Sequence, residues 1–174
     1  MGIQFETDYN METLTAMAKS LRKTVRKKRS RRVHIFAAVV LILGLLTILA
    51  TTAGGEPLGA SDVVTMLAML VVILVSLFED KLNAWFARKR LLPGTEHAVA
   101  TFEEDGYVSA TSMSESKFSY AQIVAVAETE RYFVFALSSH HTQAYDKRNI
   151  RGGSVEDFRA FIAEKTGKLV EKIK

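Results

Sequence analysis

Residues 33–55 contain no Asp, Glu, Lys or Arg over 23 positions, and this run limits what the chain can fold into more than any other feature. A helix rises about 1.5 Å per residue, so roughly 20 residues cross a hydrocarbon core near 30 Å thick. Within residues 33–52, twelve side chains are Val, Ile, Leu or Phe. Each contributes about −0.3 to −0.6 kcal/mol to insertion, a gross gain on the order of −4 to −7 kcal/mol. A buried helix of a water-soluble protein would be shorter or interrupted by polar residues. A cleaved leader fits no better, because its apolar region runs only about 7 to 15 residues behind a short charged segment, whereas 32 residues precede this one. Residues 33–55 are therefore expected to form a transmembrane helix.

A second run, residues 63–78, holds 16 uncharged residues and alone reaches only about 24 Å. Starting instead at Leu58 brings it to about 31 Å and leaves Asp62 at headgroup level, where the cost of a carboxylate falls away. Residues 58–78 are thus the second expected span, joined to the first through "AGGEPLG", whose glycines and proline mark a tight turn. Helices joined so closely run antiparallel.

Charge sets the orientation. Nine of the 14 residues from 19 to 32 are Lys or Arg, among them Arg26, Lys27, Lys28, Arg29, Arg31 and Arg32. Lys81, Arg88, Lys89 and Arg90 follow the second run, and the turn has no basic residue. The positive-inside rule then predicts a multi-pass protein of the cell membrane with both termini in the cytoplasm. Residues 79–93 read as a helical extension and linker, in which Trp85 and Phe86 serve either as interfacial anchors or as contacts of a following domain.

Residues 1–32 hold two further elements. Residues 3–9 alternate Ile3, Phe5, Thr7 and Tyr9 with polar neighbours, the period of a strand. Met11, Leu14, Met17, Ala18, Leu21 and Val25 recur every three or four residues, the stripe of a basic amphipathic helix that starts after Asn10, hugs the membrane surface and runs on into the first span.

Composition narrows the function. The chain is 48% apolar, with a net charge of +4 and no cysteine. The missing cysteines exclude disulfides, thiolate metal sites and cysteine nucleophiles. Residues 1–93 carry +6 and residues 94–174 carry −2, so the C-terminal part lacks the basic face that phosphate backbones require, and no nucleic-acid partner is expected. His34, His97, His140 and His141 have no metal-ligand spacing, and no phosphate loop, nucleophile elbow or paired-carboxylate motif occurs. No catalytic, cofactor-binding or metal residue is assigned, and the chain is expected not to be an enzyme.

Residues 94–174 form the remaining domain. "AVATFEEDGYVSAT" gives two strands about a tight Asp105-Gly106 turn with positive φ. "KFSYAQIVAVAET" and "RYFVFALSS" give two more, and residues 142–145 a return strand. A helix over residues 155–165 closes the chain, capped by Ser154 with Asp157 three positions on and stopped at Gly167. Short antiparallel strands with one terminal helix make a small α+β domain.

A two-span hairpin followed by "FEEDG", "FSYAQIVAVAETERYFVFAL", "DKRNI" and a final "EDFRAFIAEK" resembles the YcxB-like family of bacterial membrane proteins. The resemblance covers nearly the whole chain, with Tyr120 where Trp is usual and Asp146 where Pro is usual. It implies a cytoplasmic, pleckstrin-homology-like (PH-like) antiparallel barrel of short strands with a C-terminal helix, whose first strand precedes the membrane hairpin. It implies no activity, so the expected role is a membrane-held module for protein interaction, sensing or scaffolding. The rival is a receptor for a lipid headgroup or small ligand. Lys147, Arg148 and Arg151 are the domain's one basic cluster and its candidate interaction surface, free to pair with carboxylates, face the membrane or bind a partner. The expected partners are the lipid bilayer and an unidentified cytoplasmic or membrane protein, with room for a homo-oligomer.

Overall fold

A computed structural model describes residues 2–173, which divide into two units: residues 28–82, and a unit assembled from residues 2–27 and 83–173. In chain order the elements are β1 (Ile3–Asp8), α1 (Met11–Lys23), α2 (Lys27–Ala53), α3 (Ala60–Leu77), α4 (Glu79–Lys89), β2 (His97–Phe102), β3 (Tyr107–Thr111), β4 (Glu115–Phe118), β5 (Ala125–Glu128), β6 (Tyr132–Ala136), β7 (Thr142–Asp146), β8 (Ile150–Arg151), α5 (Val155–Thr166) and β9 (Val170–Lys172).

In the unit of residues 28–82, α2 and α3 are each long and apolar enough to cross a membrane. No residue of α2 is buried, and Phe36, Ile42 and Leu46 are exposed. That much apolar surface is favourable only against hydrocarbon or another apolar partner. The basic residues from Lys27 continue the helix, so α2 starts six residues before the apolar run. A small residue lets the two helices meet: a Cβ added to Gly44 would lie 2.7 Å from the sulfur of Met69. Asp62 at the start of α3 is buried. It accepts the Gly59 N–H at 2.9 Å and the Thr51 hydroxyl at 3.2 Å, which ties the turn to both helices.

The other unit is built from both ends of the chain. β1 pairs antiparallel with β2 over six residues, from Ile3 opposite Phe102 to Asp8 opposite His97. The strand read at the N-terminus is therefore part of the C-terminal domain's sheet. One sheet runs β4-β3-β2-β1-β8 and the other β7-β6-β5-β9. They are two packed sheets rather than one closed barrel. At the join between β1 and β7 the ladder is replaced by a side chain, because the Asp146 N–H donates to the Thr7 hydroxyl at 3.1 Å.

The inward faces of both sheets build an aromatic core around Phe5. Its ring lies 4.6 Å from Phe158, 5.7 Å from Tyr145 and 5.8 Å from Phe102, and Phe158 and Ile162 of α5 are fully buried in it. A second cluster faces the opposite way. Every residue of β6 is buried, so its outer face also needs cover, and α1 supplies it: Ala16 and Met17 pack on Ala127, Tyr132, Val134 and Ala144. This overturns the surface-hugging reading of α1. Its apolar stripe is spent on protein, and at the C-cap Thr24 the helix breaks before α2 begins.

Three local expectations are also corrected. Gly106 does not take positive φ, and the hairpin is a four-residue loop, Glu103 to Gly106, between the paired Phe102 and Tyr107. Glycine is needed there for space, since a Cβ would stand 2.5 Å from the Phe118 carbonyl oxygen. "KFSYAQIVAVAET" is not one strand, because Ser119 and Gln122 cap a 3₁₀ turn over Tyr120–Gln122 that separates β4 from β5. Past Gly167 the chain does not stop at a helix but adds β9, parallel to β5. The helix itself keeps its Ser154 cap with Asp157 and its left-handed Gly167.

Because β1 supplies the centre of the core, Phe5→Ala is expected to destabilise this unit by about 3–5 kcal/mol, read as a lowered urea midpoint by near-ultraviolet circular dichroism of the full chain in detergent. Residues 94–174 alone, lacking β1, should give collapsed amide dispersion by NMR; a well-dispersed spectrum would refute the dependence.

Candidate functional site

The basic cluster on which the sequence reading settled is held by carboxylates. Lys147 starts the 3₁₀ turn after β7, and its ammonium donates to Glu128 at 3.1 Å and to the Thr129 carbonyl at 2.7 Å. Arg159, from α5, reaches the same carboxylate with two bonds of 2.7 and 2.8 Å. The Glu128 side chain is only 6% exposed, so water contributes little, and two cations hold it. The Arg159 bonds, reinforced by Lys147 and opposed by burial, lower its pKa to about 2. Arg148 forks onto Asp146 at 3.0 and 2.6 Å, and the Asp146 carboxylate also caps the turn by accepting the Arg148 N–H. Burial pushes the Asp146 carboxyl up, against the pull of Arg131, whose Nε lies 3.6 Å away and whose guanidinium also binds Glu12 on α1. Arg151 pairs with Glu6 across β8 and β1 at 3.0 Å. The three cations thus take three different carboxylates, and Arg148 and Arg151 remain largely exposed.

Among the other basic residues, Arg26 is a structural tie. Its guanidinium donates to the Ser139 carbonyl at 2.6 Å and lies 2.9 Å from Nδ1 of His140, fastening the end of α1 to the β6–β7 turn. Lys27, Lys28, Arg29, Arg31 and Arg32 are exposed on the first turns of α2, and Arg88, Lys89 and Arg90 are exposed at the end of α4. Trp85 and Phe86 are exposed as well, with the Lys89 ammonium 3.6 Å above the Trp85 ring. They lie outside both core clusters.

Sequence reasoning missed Glu128, Arg159, Glu12 and Arg131. Their one signal is local: Glu128 ends an apolar run and Arg159 follows the core residue Phe158, positions that place charges at the rim of a core. It noted Tyr120 only as standing where Trp is usual and missed its role: the hydroxyl lies 2.6 Å from the Glu103 carbonyl and 3.0 Å from that of Gly106, pinning the acidic loop.

A carboxylate whose folded-state pKa is depressed adds stability that is complete above its unfolded value, near 4.5, and is lost as pH falls toward 2. Glu128→Gln should therefore destabilise the unit by roughly 3 kcal/mol at pH 7 and flatten the acid limb of a stability-against-pH curve between about pH 4.5 and 2. An unchanged acid limb would assign that limb to other carboxylates.

Comparison with curated proteins and with solved structures gives no match. A protein-family model described as YcxB-like protein matches residues 102–162, from the end of β2 through most of α5. The match takes in the four-residue acidic loop, the Tyr120 turn, all of β3 to β8 and the carboxylates Glu128 and Asp146. Over residues 102–162 the chain is thus similar to the YcxB-like family.

Proposed function

We propose that this protein crosses the cell membrane twice, keeps both termini in the cytoplasm, and presents its assembled unit there as a PH-like module for protein interaction, sensing or scaffolding, without catalysis. The observation that carries the topology is the β1–β2 ladder. β1 precedes the two apolar helices and β2 follows them, so the chain must leave and return on one side of any bilayer that α2 and α3 cross. Basic residues flank the hairpin at both ends and are lacking in its turn, which favours the cytoplasmic side. Two sheets of short strands packed around a C-terminal helix support the PH-like reading.

Phosphoinositide-type recognition is the weaker reading of the module. It needs several unengaged cations converging on one loop, whereas Lys147, Arg148 and Arg151 each hold a carboxylate and the loop between β2 and β3 carries Glu103, Glu104 and Asp105. The protein-interaction reading fits a surface of paired, partly exposed charges, which contribute about 0–1 kcal/mol each to the fold and are available to exchange partners.

A reporter active only in the cytoplasm should work when fused to the C-terminus, and one active only outside should work when inserted between Gly54 and Gly59. The reverse pattern would overturn the topology, and release of the intact protein into the supernatant by carbonate washing would overturn membrane spanning altogether. Crosslinking in membranes followed by pulldown should recover a partner protein with the parent chain and less of it with Arg148→Ala/Arg151→Ala; equal recovery would remove those two residues from the interface.

A further inference from the structure

At one end of the assembled unit the two sheets leave a cleft of about 330 Å³, at the small end of the range for ligand pockets. The strand register explains why it stays open. Thr111 stands opposite Ala98, Ser109 opposite Ala100, and Ser116 opposite Ser109. Directly opposed residues share a face, and this is the face that carries Phe102 and Tyr107 into the core. Where aromatic rings fill the rest of the space between the sheets, small hydroxylated side chains leave it empty and polar.

From the other sheet, Gln143 of β7 lines the same cleft and is only 7% exposed. Its Oε1 accepts the hydroxyls of Tyr107 at 2.8 Å and Tyr145 at 2.7 Å. Burial raises the pKa of both phenols far above neutrality, so both stay protonated donors. The carbonyl is thereby satisfied, and the amide Nε2 keeps two N–H groups with no partner among the described residues. Ser20 Oγ and Arg131 Nε are the side-chain polar atoms buried without a hydrogen-bond partner among the described residues; Gln143 Nε2 is not one of them, which leaves it accessible from the cleft that its residue lines.

No Asp or Glu lines the cleft, and Arg90 stands exposed at its mouth with no ion pair among the described residues. A cationic mouth, an interior of amide donors and hydroxyls, and a partly apolar wall from Leu14, Met17 and Phe118 define one ligand chemistry. We propose that this cleft binds a small hydroxylated organic anion, of the sugar-phosphate or sugar-acid kind, with its acid group at Arg90 and its hydroxyls against Gln143, Ser109 and Ser116. A hydroxylated ligand is favoured over an acyl chain, which would strand the Gln143 donors. The inference gives the sensing role proposed above a ligand class, and it rests on the fold of one unit rather than on membrane topology.

Isothermal titration of the full chain in detergent micelles tests it, with gluconate and glucose 6-phosphate as probes and glucose and inorganic phosphate as controls that each carry half of the chemistry. At least one probe should bind saturably at submillimolar concentration, with both controls about tenfold weaker or more. Arg90→Gln, an exposed position, should weaken the probe about tenfold and leave glucose unchanged. Ser109→Ala, which removes only the hydroxyl, should weaken probe and glucose alike, with near-ultraviolet circular dichroism reporting an intact fold. Absence of saturable binding by either probe up to about 10 mM would overturn the proposal. So would inorganic phosphate binding as tightly as the probe, or full probe affinity in both variants. Each of these results is independent of the reporter pattern that tests the topology.

Discussion

The main-chain ladder between β1 and β2 is the interaction on which the rest depends. It joins residues 89 positions apart, Asp8 and His97, and everything between them is the helical hairpin and its flanks. Closing a flexible loop of that length costs entropy that grows only as the logarithm of length, and an antiparallel helix pair lowers it further by returning the chain toward its start. Gly44 and Asp62 are what allow that return: one permits close approach of α3 to α2, and the other fastens the turn to both helices. Without the ladder β2 would keep only β3 beside it, Phe5 would leave the aromatic core, and Arg151 would lose Glu6.

Charge does a second job around this frame. The cations near the core each sit on a carboxylate contributed by a different element: Arg159 of α5 on Glu128 of β5, Arg131 on both Glu12 of α1 and Asp146, and Lys147 again on Glu128. The pairs therefore fix α1 and α5 to the sheet that both of them cover. The Glu128 pairs are the most consequential, since a carboxylate withdrawn from water would become an uncompensated buried charge if it lost both cations. The exposed pairs at Arg148 and Arg151 carry far less energy and far more freedom.

Much of this was legible in the residues, and what was not has local physical causes. The two apolar runs announce their helices by length alone. Period-two spacing marks β1, and Ser154 with Asp157 and Gly167 brackets α5, because those signals act over three or four residues. The amphipathic stripe of α1 was visible but not its destination: a sheet whose β6 is apolar on both faces and a bilayer surface ask for the same pattern. Asp105-Gly106 looked like a positive-φ turn because that dipeptide suits one, while the true demand, clearance for the Phe118 carbonyl, comes from a strand not yet folded. β9 is three residues long and held by parallel pairing with β5, too short for periodicity to mark. The cleft was illegible for the same reason as the Glu128 network, since Ser109, Ser116 and Gln143 are brought together only by register across two sheets.

The division of one folded unit between the two ends of the chain also governs the order in which it can come into being on the ribosome. β1 is interior to its sheet, yet both of its partners, β2 and β8, are made long after it. At synthesis rates of about 5–20 residues per second, roughly 4 to 18 s separate Asp8 from His97. During that interval the apolar side chains of Ile3 and Phe5 have no native cover, and the hairpin is made first. Translation thus delivers the two long apolar helices before the sheet unit can close, so the last step of folding is completed by a chain whose apolar hairpin has already been made.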